Sequence, residues 1–299
     1  MKKKNAEITT QQIVLLVVLI ASFAVILFFI LRLNLGKTSE TEVCHNSVIT
    51  RGTGVLPTKD VVPLNCKTSY VCITKDGSCE KMTSPQIEKT KTKEETYNVL
   101  ANQMTDCWWM FGEGKLDYLS KDLLNSNLYC SVCSQLAFDD SLKSIFPDGE
   151  IDKKDFYDYL SNTKIAGKEE TYLDYLVGLK SSSEIKSTLQ NTNSNFGKIN
   201  LEKQYYIVMG TVSKVGVLKW IGVGVLSGVG IAVIILTAGA GTPVVLTVAL
   251  GAGAGGTGGY FAGTAIQGSS GSTYMTPTII EANSKDFEAL GCKDIKTLA

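Results

Sequence analysis

Residues Ile13 to Leu33 form one apolar run, IVLLVVLIASFAVILFFILRL, whose single charge is Arg32 near its end. A helix needs roughly 20 apolar residues to cross about 30 Å of hydrocarbon, so the run predicts a transmembrane anchor. Two other readings compete with it. A cleaved signal peptide has a shorter apolar core, about 7–15 residues, ending in a small-residue cut site. This run continues through Phe28, Phe29 and Ile30 instead. A pilin-type signal fits Glu7 and the Gln11-Gln12 pair loosely, but the glycine expected before the cut is absent. Lys2, Lys3 and Lys4 precede the run and favour an N-terminus inside the cell.

A second apolar region lies towards the other end. From Trp220 to Ile280 there is no Asp, Glu, Lys or Arg. Its two arms, Gly222 to Leu236 and Val244 to Ile266, are separated by a break at Gly239-Ala240-Gly241-Thr242-Pro243. The arms read as membrane crossings, and backbone groups in lipid must be satisfied within the segment, so both are expected to be helical. Gly251, Gly255, Gly259 and Gly263 recur every fourth residue, and Gly224, Gly228 and Ala232 repeat the pattern on the first arm. Such stripes let helix backbones approach closely in a membrane, which makes these glycines the expected helix-packing positions. The arms would pack on each other or on the anchor. Association between chains is a further option, and a water-filled pore is disfavoured because no arm shows an ionisable face.

The chain between these regions, from Asn34 to Lys214, is mixed in character. Val61-Val62-Pro63-Leu64 and Tyr70–Thr74 are β-rich runs, and residues Cys44 to Met82 read as short strands. Asp76-Gly77 is a hairpin signal; it places Cys72 diagonal to Cys79, with Cys44 or Cys66 as alternative partners. Thr92 and Glu95 form a capping box ahead of Leu100, Met104, Cys107, Trp108 and Phe111, which recur at helical spacing until Gly112 and Gly114. That stripe is a core face before it is a ligand site for Trp108 or Trp109. Asp152 is a helix cap before Phe156, Tyr159 and Leu160. Tyr172, Leu173 and Leu176 make another apolar set, Lys180 to Lys198 a loop, and Tyr205 to Met209 a strand leading to the membrane.

The runs PLNCKTSYVCIT (Pro63–Thr74), DCWWMFGEGK (Asp106–Lys115) and YCSVCSQLAFDD (Tyr129–Asp140), with the N-terminal anchor, resemble an uncharacterised family of archaeal membrane proteins. The resemblance covers most of the middle region. It implies an archaeal envelope setting and carries no known activity.

Cys44, Cys66, Cys72, Cys79, Cys107, Cys130 and Cys133 all lie in the middle region, and Cys292 lies in the tail. An even number in an exported protein reads as disulfides, with connectivity left open by sequence alone. Cys130-Ser131-Val132-Cys133 is a C-x-x-C that could be a redox pair, but no strand–helix thioredoxin context surrounds it, so structural bridges are the simpler expectation. Zinc would need a second ligand pair. The lone histidine, His45, has no G-x-S-x-G or H-E-x-x-H beside it and reads as a surface residue. Phe146–Asp152 lacks the alternating ligands of an EF-hand, and Gly112-Glu113-Gly114 is too short for a phosphate loop.

Composition adds little. The 299 residues carry 29 basic and 29 acidic side chains, and charged residues make up 19% of the chain. Nucleic acid is not an expected partner, because phosphate binding needs clustered basic charge. The expectation is a membrane protein with an α+β exported domain, an N-terminal transmembrane helix and a C-terminal glycine-rich transmembrane helical hairpin. Its parts are a cytosolic stub (1–12), an anchor (13–33), a Cys-rich β-containing subdomain (34–91), a mainly helical subdomain (92–214), the hairpin (215–266) and an exported tail (267–299). Two hairpin crossings put Cys292 outside with the other cysteines, where it would bridge to one of them, although the lysines at 214 and 219 give the positive-inside rule no support there. Expected partners are the lipid bilayer and further copies or other membrane proteins; no cofactor, metal or enzyme activity is expected. The work is binding or scaffolding at the cell envelope. A pore-forming or membrane-remodelling protein, and a thiol-disulfide oxidoreductase using Cys130 and Cys133, are the alternatives.

Overall fold

A computed structural model describes residues 10–32, 35–54, 63–116, 118, 128–178, 182–183, 186, 197–213, 230–236, 245–251, 263–267, 272–289 and 292–294. The chain divides into two units, Met1–Glu42 and Val43–Ala299. The first contains helix α1 (Thr10–Arg32), and helix α2 (Leu35–Thr53) passes from the first unit into the second. Apolar side chains on every side of α1 are exposed, including Ile13 at 50%, Leu19 at 60%, Phe23 at 62% and Ile26 at 54%. Among the described residues no helix is long and apolar enough to cross a membrane. The expected transmembrane architecture is corrected accordingly.

The second unit is α+β, built on a nine-stranded mixed sheet among the described residues. Strand β1 (Ser69–Thr74) lies between β2 (Gln86–Lys89) and β3 (Leu128–Phe138), parallel to both. The hairpin expected at Asp76-Gly77 is therefore a turn without a hairpin. The chain reverses there, with the Asp76 carboxylate accepting from Ser78 N at 2.9 Å, but crosses over before β2 enters. The short-strand reading of Cys44–Met82 fails at its start too, because Cys44 and Val48 are buried positions on α2.

Helix α3 (Lys93–Met110) begins where the sequence places it. The Thr92 hydroxyl accepts from Glu95 N at 3.2 Å, while Glu95 reaches back to Lys91 N at 2.5 Å, one residue before the cap. Leu100, Met104, Cys107, Trp108 and Phe111 are buried, so the helical stripe is a core face. Strands β4 (Glu150–Asp152) and β5 (Lys198–Asn200) form a separate antiparallel pair. Helix α4 (Lys153–Asn162) is capped by Asp152, whose carboxylate accepts from Lys154 N at 2.7 Å. Helix α5 (Tyr172–Val177) starts with a full Thr171–Asp174 capping box. The loop expected over Lys180–Lys198 lies largely outside the described residues, as do Val61 and Val62.

The glycine-rich region is not a helical hairpin. Strand β6 (Tyr205–Ser213) is followed by β7 (Gly230–Leu236), β8 (Val245–Gly251), β9 (Gly263–Gln267) and β10 (Ser272–Glu281). The spatial order runs β3-β6-β10-β9-β8-β7, antiparallel throughout. Two features of the sequence favour strands. Valine, isoleucine and threonine prefer the pleated surface, and each mid-helix glycine costs about 1 kcal/mol relative to alanine. Docking onto β10 then satisfies the backbone through a ladder instead of through helical bonds. Of the expected helix-packing glycines, Gly251 sits opposite Gly230 and Gly263 opposite Val248 in this ladder. Gly224, Gly228, Gly255 and Gly259 lie outside the described residues. Pro277 is tolerated inside β10 because the register shifts between Met275 and Thr278, a bulge that needs no ladder donor there. Helix α6 (Lys285–Ala289) and strand β11 (Lys293–Asp294) follow.

Candidate functional site

The cysteines form four bonds: Cys44–Cys66, Cys72–Cys79, Cys107–Cys133 and Cys130–Cys292. None is free. The C-x-x-C does not close on itself. Cys130 holds the tail, where β11 pairs with Tyr129 and Cys130, and Cys133 fastens α3 to the sheet. Both are almost fully buried. β11 ends opposite Cys130 and β1 begins opposite Ser134, which leaves a gap along one edge of β3. Hydroxyls fill it: Thr68 donates to Val132 O at 2.8 Å and Ser69 to Cys133 O at 3.3 Å.

The most developed polar constellation runs along α3, where Asn98, Asn102 and Asp106 share one face at helical spacing. The Asn98 amide donates to the hydroxyls of Tyr159 and Tyr172, both at 3.1 Å. The Tyr172 hydroxyl donates to Asn102 Oδ1 at 2.8 Å, and Asn102 Nδ2 donates to Asn98 Oδ1 at 3.0 Å. The rings of Tyr159 and Tyr172 stack. Burial raises the Tyr172 hydroxyl above its ordinary range, with Tyr159 adding to the effect.

At the end of α3 the backbone turns through Gly112, Glu113 and Gly114 with φ of 74°, 55° and 70°. The left-handed region suits the glycines and is uncommon for glutamate. Glu113 is held there by the Tyr175 hydroxyl, which donates to it at 2.6 Å, and by the Lys115 ammonium. Burial acts to raise the Glu113 carboxyl, but the hydrogen bonds from Lys115 and Tyr175 outweigh it and the net shift is downward. Burial and the Glu113 carboxylate together push Tyr175 upward. Lys168 Nζ lies 3.8 Å from the centroid of the Tyr175 ring.

His45 is half-buried instead of free on the surface. Its Nδ1 donates to Trp109 O at 2.7 Å and its ring stacks on Trp109 with centroids 3.8 Å apart. At the far ends of β1 and β3, Asp76 and Asp139 both lie within reach of the Ser78 hydroxyl, at 2.6 and 3.2 Å. Hydrogen bonds from Ser78 hold the Asp76 carboxyl down to about 2. Among the described residues no group of three or more His, Cys, Asp or Glu side chains is placed to hold a metal ion.

Reading the sequence singled out the cysteines, Trp108 and Trp109, and passed over Asn98, Asn102, Glu113 and Tyr175. The four-residue spacing of the two asparagines on a helix was the available signal. The Glu113 contact to Tyr175 had none, because 62 residues separate them. Comparison with known proteins finds no matching family model, no similar curated protein and no similar solved structure.

Proposed function

We propose that this chain is an exported, disulfide-stabilised envelope protein with a binding or scaffolding role, held at a lipid bilayer through α1. The observation that carries the binding or scaffolding part is covalent bracing: Cys107–Cys133 fastens α3 to the sheet and Cys130–Cys292 holds the tail beside β3. Asp76, Glu113, Asp140 and Asp174 are lowered, Lys143, Lys154 and Lys198 are raised, and Tyr97, Tyr157, Tyr172, Tyr175 and Tyr205 are raised. Each shift moves its group further from neutrality. General acid–base chemistry asks for the opposite, a pKa brought near the working pH.

The setting rests on two further supports. Four bonds using all eight cysteines fit an oxidising compartment. A helix apolar around its circumference needs an apolar medium, and lipid supplies one on every side, whereas one partner protein would cover a stripe.

Thiol counting in isolated envelope fractions tests the reading. Alkylation under denaturing, non-reducing conditions should modify no cysteine, and after reduction all eight. Recovery of the chain in the cytosol, or with Cys130 and Cys133 already reactive before reduction, would contradict it; the second result would favour the thiol-disulfide alternative.

A further inference from the structure

The sheet has a second face, opposite α3. In the register across β1, β3 and β6, Val71 stands beside Leu136 and Leu136 beside Tyr205, and all three are buried in the core. Side chains alternate along a strand, so the neighbouring row, Tyr70 beside Gln135 beside Tyr206, points the other way. Tyr70 is 51% exposed, the largest exposure of an aromatic side chain among the described residues of the second unit. Gln135 and Tyr206 are partly exposed.

This row is held in place. Gln135 Nε2 donates to Gln204 Oε1 at 2.6 Å, and Gln204 Nε2 donates to Lys81 O at 2.8 Å, which sets both amides. Tyr206 is backed by Phe287 of α6, with ring centroids 5.0 Å apart. Tyr70 and Tyr206 lie two strands apart, roughly 10 Å at the usual strand spacing. The result is two tyrosine rings flanking an oriented amide, with no charged position in the row.

We propose that this row binds a neutral oligosaccharide, the rings packing against the apolar C–H faces of successive sugar units and the Gln135 amide bonding a hydroxyl between them. Dispersion and apolar burial supply the affinity, and an amide can both donate to and accept from hydroxyls. Phosphate-bearing ligands would call for basic charge that the row lacks, and lipid chains would leave its amides unpaired. The inference rests on the binding role proposed above.

The test is titration of the full-length chain, in a zwitterionic detergent without a sugar headgroup, with gluco-, manno- and galacto-hexaoses, read by calorimetry. At least one should bind. Tyr70→Ala and Tyr206→Ala should each weaken it by about tenfold or more, about 1.4 kcal/mol, and Tyr70→Trp should retain it. Tyr70 is exposed, so its variants test the row without disturbing the core. Binding of none of the three, binding unchanged by Tyr70→Ala, or self-association abolished by Tyr70→Ala would each overturn the inference. If the thiol count comes out as expected and the sugars fail to bind, the ligand is wrong and the envelope reading stands.

Discussion

Glu113 shows how a residue can matter while leaving no trace in local pattern. Its left-handed backbone costs of order 1 kcal/mol or more, and what offsets it is a hydroxyl on α5 and an ammonium two residues on. Thr92 and Asp152 lie at the opposite extreme, because a cap acts on the next turn of its own chain, and both were legible from sequence. The asparagine–tyrosine network should behave as one unit. Tyr172→Phe removes a donor to Asn102 and an acceptor for Asn98, and should lower unfolding free energy by about 1–3 kcal/mol in urea titration. Asp76 gives the pH signature. Its folded pKa, about 2, lies below the ordinary 3.8, so the stability it contributes is present above pH 3.8 and fades as pH falls towards 2. Asp76→Asn should therefore be less stable than the parent at neutral pH, with the gap closing across that acid window. A gap that widened on acidification would show the sign to be wrong.

At the scale of elements, the sequence was most legible where one period dominated. The α3 stripe, β6 and the short helices α4 and α5 lie where their apolar spacing puts them. The glycine-rich strands were misread because Gly230–Leu236 and Val245–Gly251 are apolar on both faces, and a continuous apolar run does not distinguish a strand from a buried helix. What decided between them was a partner remote in sequence, β10 joined to β6. Paired cysteines at Ile231/Leu250, Val233/Val248 and Ile235/Leu246 should all cross-link, since each pair is in register and every second residue shares a face. On a helix those positions turn through about 200° per step, so cross-linking of only one pair would restore the helical arm. The disulfides differ in reach. Cys130–Cys292 spans 162 residues and Cys72–Cys79 spans 7. On chain entropy alone they contribute about 5 and about 2.5 kcal/mol. Replacing the first pair by serine should destabilise the chain roughly twice as much in urea as replacing the second.

For the whole molecule, α1 and the bonded domain make different demands on their surroundings. The domain satisfies its cysteines and its core within itself, whereas α1 presents apolar side chains on every side. The sequence disclosed both properties, the apolar run and the even cysteine count. It could not disclose the pairing, which depends on strands meeting across the sheet. The central claim is that lipid covers α1, and flotation of the full-length chain with liposomes on a density gradient tests it most directly. The parent chain should rise with the vesicles, and a variant with Leu16, Leu19, Phe23 and Ile26 changed to glutamine should stay at the bottom while keeping all four disulfides. A parent chain that stays at the bottom, or a variant that rises equally well, would contradict the account.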